Sequence, residues 1–461
     1  MNSLRVILVF DVGKTNKKLV LFDELYRLVL ERPVQLPETV DEDGDACEDL
    51  KLLTNWVQRS FWEISSLPEY EICAVSFSAY GASFVHVDDY YEPVTPLYNY
   101  LKPYPEDLKR QFYDTYGGQT QVSLETASPV LGNLNSGLQL YRLKYRKPDI
   151  FDQIKYSLHL PQFLSYLISA GVCSDITSIG CHTHLWDFSR SDYHEWVYKE
   201  GIDVKLAPIY HGDEVVLLSY GGNQIPIGVG LHDSSAALIP YLASFQEPFV
   251  LISTGTWCIS LNPFNQSPLS EQELRQDCLF YITYEGKPVK ASRLFAGYEH
   301  EQQTRRLSEH FQTDVGRYQS VSYDRQMIAT LKEGVALNEP GRANDLLERS
   351  LFGSRDLSSF GSYEQAYHQL MSDLLRQQQA STELILQGTG VKRLFVDGGF
   401  SKNAVYMNLL AAAFPDMKVY AASVAHATAM GAALAIRKHW NRKTLPGNII
   451  DLEYYAVTTD L

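Results

Sequence analysis

Asp11 is the first side chain in this sequence whose type and setting suit phosphate chemistry. It follows the apolar run Val6–Phe10 and opens a short polar loop that ends before a second apolar run, Leu19–Phe22. This order predicts a strand, a tight loop and a returning strand. Short side chains and backbone N–H groups at such a tip bind phosphate, and a carboxylate there faces a metal. An ordinary surface hairpin is the alternative, because Gly13 and Asn16 are normal turn residues.

The same arrangement recurs in the second half of the chain. The apolar run Phe249–Ile252 leads into the small polar loop Ser253–Thr256, and Trp257–Leu261 forms the return strand. Two such strand–loop–strand patterns predict a duplicated architecture in which two phosphate-holding loops face each other.

A third glycine-tipped strand end lies nearer the C-terminus. The strand predicted for Leu394–Val396 runs into Asp397–Asn403, which precedes a helix predicted for Ala404–Phe414. The unpaired N–H groups and the positive dipole end of a helix start favour nucleotide binding at this position.

Asp233 is the candidate acid–base group, because it lies between the two hairpins in sequence. An aspartate at a helix start is often only a cap. The consecutive residues His232, Asp233 and Ser234 cannot fold into a Ser–His–Asp triad by themselves. A further strand, Ile72–Phe77, ends in the small-residue loop Ser78–Ser83, where α/β sheets bind ligands.

Other phosphate, cofactor and metal motifs are incomplete. The chain has no GxxxxGK[ST] loop, and Gly388–Gly390 precedes a strand instead of following one, which argues against a dinucleotide fingerprint. Four metal-ligand residue types lie close together in the sequence and suggest a zinc site: Cys181, His182, His184 and Asp187. Their spacing fits no familiar closed zinc site, so we do not expect one there.

The composition is that of an ordinary globular protein. The 461 residues, 45% hydrophobic and 21% charged, predict two or three domains. A formal net charge of −15 argues against a nucleic-acid-binding protein. We find no apolar run of membrane-spanning length and no secretory signal. The six cysteines are scattered without a CxxC pair, which favours a cytoplasmic location.

The remaining chain supplies the elements that position these loops. Helical spacing predicts a helix over Leu50–Ser65, largely helical structure over Gln302–Gln378, and a last helix over Ala425–Lys438. Residues 93–201 are rich in tyrosine and proline and are interpreted as a cap on the first domain. The acidic stretch Glu38–Asp49 lacks EF-hand spacing, so we expect a solvated loop.

Five motifs in order resemble the FGGY carbohydrate kinases. They are DVGKTN (Asp11–Asn16), SAYGASFVHVD (Ser78–Asp88), GLHDSSAAL (Gly230–Leu238), STGTW (Ser253–Trp257) and DGGFSKN (Asp397–Asn403). The resemblance runs from about Arg5 to Arg437 and is closest to rhamnulokinase and L-fuculokinase.

This resemblance implies an α/β fold of two actin-like (ribonuclease H-like) ATPase domains, duplicated, with a cleft between them. The implied domains are residues 1–240, which bind sugar and carry the base, and residues 241–442, which bind nucleotide. Residues 443–461 would form a C-terminal extension.

The resemblance also implies a role for each motif. Asp233 would be the catalytic base, and Asp11 would hold Mg²⁺ through water. The implied sugar-binding residues are Tyr80, Gly81, Ala82, Ser83, His232 and Asp233. The implied ATP-binding residues are Gly13, Thr15, Asn16, Lys18, Gly255, Thr256, Gln302, Gly398, Gly399 and Asn403.

The sequence departs from the family pattern in the sugar loop and in the last helix, and the family's nucleotide-binding asparagine has no clear counterpart near Leu294, where Gln302 is the match to a nearby glutamine. Ala82 and Ser83 stand where rhamnulokinase-like loops carry Val-Asp, and His426 stands where many members have glutamate. The first departure bears on the sugar, and Lys14 and Lys17 have no family counterpart.

The expected activity is therefore transfer of phosphate from ATP, with Mg²⁺, to a ketose, at O1 of a 6-deoxy-ketohexose such as L-rhamnulose or L-fuculose. A kinase for another sugar or polyol, such as a pentulose, is the alternative enzyme. An actin-fold protein that binds sugar and nucleotide without catalysis is the rival from another class. The expected partners are the sugar and ATP, without nucleic acid or membrane, in a monomer or homodimer.

Overall fold

The computed structural model describes residues 3–334, 347 and 350–456, and its backbone divides into two compact units. The first unit comprises Met1–Gln246, Phe280–Pro288 and Ala425–Ile449. The second unit comprises Glu247–Leu279, Val289–Val424 and Ile450–Leu461.

The first unit is built on a seven-stranded sheet. In spatial order its strands are Val215–Tyr220, Asn223–Gly228, Tyr70–Ala79, Leu4–Val12, Lys17–Asp23 and Leu28–Val34, with Leu231–His232 beside Tyr70–Ala79. The predicted opening hairpin is present, and its two strands pair antiparallel with Asp11 opposite Lys18. The strand Tyr70–Ala79 runs parallel to Leu4–Val12, so both strands end at the same edge of the sheet.

Helices cover this sheet and bury its apolar residues. The helix Leu50–Ser65 has the predicted bounds and buries Val57 and Phe61. The helices Asp233–Ser244, Ala427–Ala435 and Arg437–Trp440 complete the unit outside residues 93–201. In the sheet, Phe10 stacks on Phe77 with ring centroids 5.5 Å apart, and nearly all of the neighbouring apolar side chains are fully buried. Burial of apolar surface is the main driving force for this assembly.

Most of residues 93–201 form a helical layer with an aromatic core of its own, whereas the helix Leu160–Ser169 in this range packs on the seven-stranded sheet. The helices in this range are Glu106–Thr115, Gln119–Glu125, Gly137–Arg146, Pro148–Gln153, Leu160–Ser169, Ile176–Ile179 and Glu195–Lys199. Phe112 makes edge-on ring contacts with Tyr113, Tyr141 and Trp196 at centroid distances of 5.0 to 5.1 Å. The tyrosine enrichment of this segment therefore reflects packing.

Four two-stranded sheets and short 3₁₀ turns complete the first unit. The strand pairs are Glu38–Val40 with Ala46–Glu48, Phe84–Val87 with Tyr156–His159, Ser174–Asp175 with Ile209–Tyr210, and Trp186–Asp187 with Asp192–Tyr193. The 3₁₀ turns are Gly132–Leu134 and Asp203–Lys205.

The second unit repeats the central arrangement on another seven-stranded sheet. Its strands in spatial order are Cys278–Ile282, Pro288–Leu294, Cys258–Asn262, Val250–Thr254, Arg393–Gly398, Lys418–Ser423 and Asp451–Tyr455. Val250–Thr254 forms an antiparallel hairpin with Cys258–Asn262 and pairs in parallel with Arg393–Gly398. The first sheet has the same hairpin and parallel neighbour, which confirms the predicted duplicated α/β fold.

The helices of the second unit are Glu271–Arg275, Ala296–Phe311, Arg325–Gly334, Tyr363–Leu386 and Ala404–Ala413, with 3₁₀ turns at Val315–Ser320, Leu357–Ser359 and Gly399–Lys402. The long helix Tyr363–Leu386 packs against Ala296–Phe311 and Ala404–Ala413. The predicted helical stretch Gln302–Gln378 is helical over most of its described residues, and residues 335–346, 348 and 349 lie outside them.

The compact units interleave in sequence, whereas the predicted domains 1–240, 241–442 and 443–461 are consecutive stretches. The helix Ala427–Ala435 belongs with the first unit because it packs against the helix Asp233–Ser244. A Cβ at Gly431 would collide with the carbonyl oxygen of Ala236, so glycine permits this close approach. As sequence domains, the three stretches stay a prediction.

The end of the described chain is structured. Asp451–Tyr455 pairs antiparallel with Lys418–Ser423 and forms the edge strand of the second sheet. The described residues of the stretch predicted as a separate extension are thus divided between the two units, 443–449 in the first and 450–456 in the second.

Candidate active site

Asp11 lies at the end of its strand in the first unit, and its carboxylate is nearly buried. The Thr428 hydroxyl donates a 2.8 Å hydrogen bond to Asp11 Oδ2, and Lys18 Nζ lies 3.5 Å from the same oxygen. Burial raises the pKa of the Asp11 carboxyl, and the contacts with Thr428 and Lys18 only partly oppose this. Oxygen donors of this kind are the ligands that Mg²⁺ prefers, so the residues present fit that ion.

Lys18 faces Asp11 and His426. Its ammonium donates to His426 Nδ1 over 3.0 Å, which requires a neutral imidazole. Burial, with the charge of Lys18, lowers the pKa of His426 and favours that neutral form. His426 has a backbone φ of +55° directly before the helix Ala427–Ala435. At the position of the family glutamate, His426 therefore gives Lys18 a neutral acceptor, and the Glu31 carboxylate lies 3.6 Å from the same Nδ1.

The tip of the first hairpin combines a tight turn with exposed polar groups. Gly13 N donates to Asn16 O over 2.9 Å, and the side chains of Thr15 and Asn16 are exposed. Their predicted contacts with phosphate stay a prediction.

Lys14 and Lys17, which had no predicted role, bind carboxylates of the first unit. Lys17 is buried and lies 3.1 Å from Glu48 Oε2. Lys14 contacts Glu38 at 2.5 Å and Glu48 at 3.3 Å. These two lysines hold the hairpin against the strand pair that contains Glu38 and Glu48.

Asp233 is the first residue of the helix Asp233–Ser244, and its position depends on the backbone before it. Gly230 has φ +90°, and a Cβ there would collide with the carbonyl of Pro161, so the turn requires glycine. His232 N donates to Thr177 Oγ1 over 3.0 Å. Thr177 in turn donates its hydroxyl proton to the buried carboxylate of Asp175. This chain of contacts fixes the backbone just before Asp233.

The Asp233 side chain is about one-third exposed, and its surroundings suit a base. Desolvation raises the pKa of Asp233 to about 6, against the opposing hydrogen bond from Ser234 N to Oδ1 at 2.7 Å. His232 Nε2 lies 3.3 Å from the same Oδ1. Burial lowers the pKa of His232 to about 4, so at neutral pH this imidazole is uncharged beside an ionised carboxylate.

The predicted sugar loop lies against this pair. A Cβ at Gly81 would lie 2.5 Å from the ring of His232, so glycine allows the loop to reach the imidazole. Tyr80 is buried, with its ring centroid 5.6 Å from that of Tyr100. Four of the predicted sugar-binding residues, Tyr80, Gly81, His232 and Asp233, thus lie close together in the structure.

Ala82 and Ser83, which depart from the family pattern in the sugar loop, have hydrogen-bond partners within the fold. Ser83 is buried, and its hydroxyl donates to the carbonyl of Tyr98 over 2.8 Å. The carbonyl of Ala82 accepts from Gln139 Nε2 over 2.8 Å. Because these groups already have partners, the assignment of Ala82 and Ser83 to the sugar stays a prediction.

The second unit contains a cavity of about 810 Å³. Its lining residues are Thr254, Gly255, Gly297, His300, Glu301, Tyr318, Gln319, Ser320, Val321, Ser322, Gly399, Phe400, Lys402, Asn403 and Ala404. Pockets of this volume accommodate cofactor-sized ligands, and Asn403 and Ala404 at the start of the helix Ala404–Ala413 line it. The predicted residues Gly255, Gly399 and Asn403 line this cavity.

Glycines shape the wall of this cavity. Gly398 has φ +94°, and a Cβ there would collide with the carbonyl of Thr254. The Thr254 hydroxyl donates to the Asp397 carbonyl over 2.6 Å and accepts from Phe400 N over 3.0 Å. A Cβ at Gly297 would likewise collide with the carbonyl of Gly255. The strand end and the glycine loop are therefore locked together.

Asn403 caps the helix that follows it. Its Oδ1 accepts from Tyr406 N over 3.1 Å, and its Nδ2 donates to Tyr367 over 2.7 Å. The Tyr367 hydroxyl also lies 3.0 Å from His300 Nε2. This network sets the shape of the cavity beneath the predicted adenosine site.

Seven predicted ATP residues lie outside the cavity lining: four belong to the hairpin of the first unit (Gly13, Thr15, Asn16 and Lys18), and three belong to the second unit. Three aromatic lining residues were missed. Gly398 precedes the lining residue Gly399, Thr256 is exposed beside Gly255, and Gln302 lies on the lining helix beyond Glu301. The missed rings are those of His300, Tyr318 and Phe400. An aromatic residue at helical spacing does not distinguish a pocket wall from a core position, so only the assembled fold shows them.

The four residues that suggested zinc by their closeness in sequence, and for which no zinc site was expected, separate in the structure. His184 Nε2 lies 2.9 Å from the Tyr113 hydroxyl, and its Nδ1 lies 2.8 Å from the Thr126 hydroxyl. Asp187 accepts from Ser189 N over 2.8 Å in a local turn. Cys181 and His182 instead lie with His232, from the turn before Asp233.

Three sequence-family models cover nearly all of the chain. Residues 6–239 match the FGGY family of carbohydrate kinases, N-terminal domain. Residues 246–339 match the carbohydrate kinase FGGY, C-terminal domain, and residues 343–436 match the FGGY family of carbohydrate kinases, C-terminal domain. The chain belongs to the FGGY family of carbohydrate kinases, whose members are ATP-dependent phosphotransferases with alcohol acceptors.

Individual relatives are distant. A rhamnulokinase from Halalkalibacterium halodurans is 22% identical over 182 residues, which span 38% of this chain and 37% of the relative. The structure of a carbohydrate kinase from Novosphingobium aromaticivorans is similar with a TM-score of 0.80 and 22% identity, covering 99% of this chain and 96% of that one. A ligand-bound xylulose kinase from Lactobacillus acidophilus gives a TM-score of 0.77 and 16% identity, covering 98% and 94%. At these identities the solved structures show the fold alone.

Among the described residues, no helix combines the length and apolar character needed to span a bilayer.

Proposed function

We propose that this protein is an ATP-dependent carbohydrate kinase that phosphorylates a ketose, at O1 of a 6-deoxy-ketohexose such as L-rhamnulose or L-fuculose. The observation that carries the proposal is the placement of Asp233. A carboxylate with a pKa raised to about 6 lies beside a neutral histidine and the small-residue loop of Gly81. A general base works best when its pKa lies near the working pH.

Asp233 would accept the proton of the sugar hydroxyl as that oxygen attacks the γ-phosphorus of ATP. The new O–P bond forms as the bond from the γ-phosphorus to ADP breaks, and the proton moves to an Asp233 carboxylate oxygen. Phosphoryl transfer depends mainly on alignment and neutralisation of charge. His232 and Gly81 would orient the sugar at the carboxylate, because His232 lies against Asp233 and Gly81 lies against the ring of His232.

Asp11 would hold Mg²⁺, which supplies positive charge to the phosphates. Lys18 would add a second charge, since its ammonium lies 3.5 Å from Asp11 and contacts a neutral His426. The exposed hairpin tip with Gly13, Thr15 and Asn16 would contact the phosphates through short side chains and N–H groups.

The nucleotide would occupy the 810 Å³ cavity of the second unit. Gly255 with its neighbour Thr256 would contact phosphate, and Gly398, Gly399 and Asn403 would border the adenosine, with Gln302 close by. Support comes from the cavity volume and from Gly297 and Gly398, which allow the backbone segments of the cavity wall to approach each other closely.

The choice of a 6-deoxy-ketohexose rests on the motifs shared with rhamnulokinase and L-fuculokinase and on the partial match to a rhamnulokinase. A cytoplasmic location, sugar and ATP as the partners, and a monomeric or homodimeric state complete the proposal.

An ADP-release assay with ATP and Mg²⁺ over a panel of ketoses and polyols tests this function. We expect L-rhamnulose or L-fuculose to exceed D-xylulose, gluconate and glycerol in kcat/KM by at least about tenfold, since methyl-sized differences support such discrimination. A preference for a pentulose would replace the substrate, and tight sugar binding without ADP release would favour a non-catalytic binder.

Asp233→Asn supplies the residue-level test. We expect kcat to fall by about 10²–10⁴ with sugar affinity largely retained. Asp213→Asn, which removes a half-buried carboxylate paired with Lys438, is the matched control. Full turnover in Asp233→Asn would reject the assigned base.

A further inference from the structure

Three nitrogen and sulfur ligand groups converge beside Asp233. One ligand atom each from Cys181, His182 and His232 lies within 4.8 Å of the others, and all three side chains are buried. Cys181 Sγ is 3.4 Å from His232 Nε2. The proposed function assigns a role only to His232, so the other two side chains need a separate explanation.

The fold holds the two contributing segments together. Cys181 and His182 follow the short helix Ile176–Ile179, and His182 adopts a left-handed backbone with φ +40°. The same helix contributes Thr177, whose hydroxyl accepts the hydrogen bond from His232 N at 3.0 Å. The convergence is therefore set by backbone contacts and does not depend on the rotamers alone.

A neighbouring aromatic ring limits how the histidines can turn. The ring of Tyr281 stacks on His232 with centroids 5.9 Å apart and meets His182 edge-on at 6.2 Å. His182 and His232 are perpendicular at 6.2 Å. Two imidazoles held at right angles present their nitrogens to a common point more readily than two parallel rings do.

The donor chemistry selects the ion. A thiolate with two imidazoles suits Zn²⁺, whereas Mg²⁺ prefers oxygen ligands. With Zn–S near 2.3 Å and Zn–N near 2.0–2.1 Å, tetrahedral geometry places ligand atoms roughly 3.3–3.6 Å apart. The observed limit of 4.8 Å requires only small side-chain movements to reach these separations.

We propose that Cys181, His182 and His232 bind one Zn²⁺ ion and leave its fourth position open to water or a substrate oxygen. The thiol proton of Cys181 leaves to solvent when the ion binds. His232 Nε2 lies 3.3 Å from Asp233 Oδ1, so the ion sits against the carboxylate assigned as base. Zn²⁺ at this site inhibits the kinase by taking His232 from the sugar, and this consequence, unlike binding itself, rests on the proposed function.

Cobalt substitution tests the binding directly. The full-length protein, reduced and freed of metal, is titrated with Co²⁺ and then with Zn²⁺. We expect a thiolate-to-cobalt charge-transfer band and tetrahedral visible absorption that saturate at one ion per chain and vanish on addition of one equivalent of Zn²⁺.

Substitutions at two of the ligands supply the matched comparison. Cys181→Ala should abolish the charge-transfer band, and His182→Gln should weaken binding by at least about tenfold, a loss typical of even an outer-shell change at metal sites. Cys173→Ser removes another buried thiol of the same unit, and His211→Gln removes an exposed histidine. Both controls should bind as the unaltered protein does.

Several results would overturn the proposal. These are the absence of the band in folded protein, a stoichiometry well below one, or identical spectra for the unaltered protein and a Cys181→Ala variant. Circular dichroism and thermal melting establish that each variant is folded. If Cys181→Ala does not fold, Cys181→Ser and His182→Gln carry the comparison.

Inhibition by Zn²⁺ is tested by measuring ADP release at saturating Mg²⁺ with increasing Zn²⁺. A zinc-selective chelator is then added to show that the inhibition is reversible. We expect the Zn²⁺ concentration for half-inhibition to rise at least about tenfold in Cys181→Ala and to stay unchanged in Cys173→Ser. The variant comparison removes any effect of Zn²⁺ on ATP itself. If no sugar supports ADP release, the proposed function fails while the cobalt and stoichiometry results still decide the metal site.

Discussion

Two neighbouring lysines of the first hairpin, Lys17 and Lys18, have different partners because their side chains lie on opposite faces of the sheet. Successive side chains of a strand point to opposite faces of the sheet. Lys17 is buried against Glu48, whereas Lys18 points to the side of Asp11, with its ammonium 3.5 Å from that carboxylate. Only Lys18 is therefore available to the candidate active site, although both lysines occur in the same polar loop.

The pH dependence of activity should report the raised pKa of Asp233. The base must be ionised to accept a proton, and its pKa is about 6, so kcat/KM should fall as the pH drops below about 6. A carboxyl with the ordinary pKa near 3.9 would keep activity constant down to about pH 5. The measurement is ADP release from pH 5 to pH 8.

The residual activity of Asp233→Asn should show no such acidic limb over the same range. A limb that persists in this variant would assign the titration to another group, such as the Asp11 carboxyl, whose pKa burial also raises.

At the scale of elements, a short turn carries the backbone that places His232 and Asp233. Asp175 is fully buried and caps the helix Ile176–Ile179 by accepting from Thr177 N at 3.0 Å and Ser178 N at 3.2 Å. Thr177 then accepts from His232 N. Burial raises the pKa of Asp175 to about 7, despite these hydrogen bonds.

Asp175 should make the folded protein lose stability as the pH rises. Its folded pKa of about 7 exceeds the unfolded value near 3.9, so the stabilising contribution is complete below about pH 4 and is lost as the pH rises through 7. For about three pKa units the loss is on the order of 4 kcal/mol at most. Asp175→Asn retains the cap, because asparagine caps helices as well as aspartate does.

Urea unfolding of both proteins at pH 4, 6 and 8 measures this effect. We expect the free energy of unfolding of Asp175→Asn, relative to the unaltered protein, to increase with pH. Asp152→Asn, an exposed carboxylate on a surface helix, should leave the pH dependence unchanged. A constant difference between pH 4 and pH 8 would contradict the raised pKa.

The acidic stretch Glu38–Asp49 differs from its expected form. A solvated loop was expected, but the strands Glu38–Val40 and Ala46–Glu48 form a hairpin that closes on a buried lysine. Lys102 pairs with buried Asp41 and lies 2.8 Å from Asp43 and 2.9 Å from Asp45. The ammonium of Lys102 thus occupies the position that a cation would take among these carboxylates.

Lys102→Met should destabilise the protein by about 3 kcal/mol, because it leaves the buried Asp41 carboxylate without its partner. Urea unfolding at pH 7 measures the loss. The control Lys109→Met removes an exposed pair with Glu106 and should cost less than about 1 kcal/mol.

The double variant Lys102→Met with Asp41→Asn should recover part of the stability, since the uncompensated charge is gone. Equal destabilisation in the single and the double variant would assign the effect to packing of the lysine stem.

At the scale of the whole molecule, the two candidate ligand sites belong to different compact units. The candidate sugar residues Gly81, His232 and Asp233 lie in the first unit, and every lining residue of the 810 Å³ cavity lies in the second. Each site is built on its own sheet and at its own strand ends. A substitution at one site should therefore change the affinity for its own ligand, sugar or ADP, and leave the affinity for the other ligand unchanged.

Calorimetric titration with ADP and with sugar checks this separation. Gly398→Ala should weaken ADP binding at least about tenfold, because the Cβ would collide with the Thr254 carbonyl in a left-handed backbone, while the sugar affinity stays unchanged. Asp233→Asn should leave ADP affinity within about twofold, because Asp233 does not line the cavity and sites without shared partners act independently.

Gly390→Ala, at a glycine with open space around its Cβ, is the control for the backbone change. Loss of sugar binding in Gly398→Ala, measured on protein shown to be folded, would contradict the separation.

Much of the fold was predictable from local patterns. The hairpin at Asp11, its counterpart at Ser253–Thr256 and the helix Leu50–Ser65 all follow from apolar runs and helical spacing within short windows. Local backbone preference and side-chain alternation act over these distances, so their result is readable without the rest of the chain. The ordered motifs also sufficed for the family, which the three family models confirm.

Contacts between distant segments were decided only by the tertiary structure. Glu48 is 31 residues from Lys17, and Cys181 is 51 residues from His232. The same holds for the helix Ala427–Ala435, which joins the first unit from near the end of the chain. Sequence spacing carries no information about which buried surfaces meet, because that depends on packing of whole elements. The sequence alone therefore determined the family and the principal candidate residues, while the assembled fold decided the partners, burial and pKa values that give those residues their chemistry.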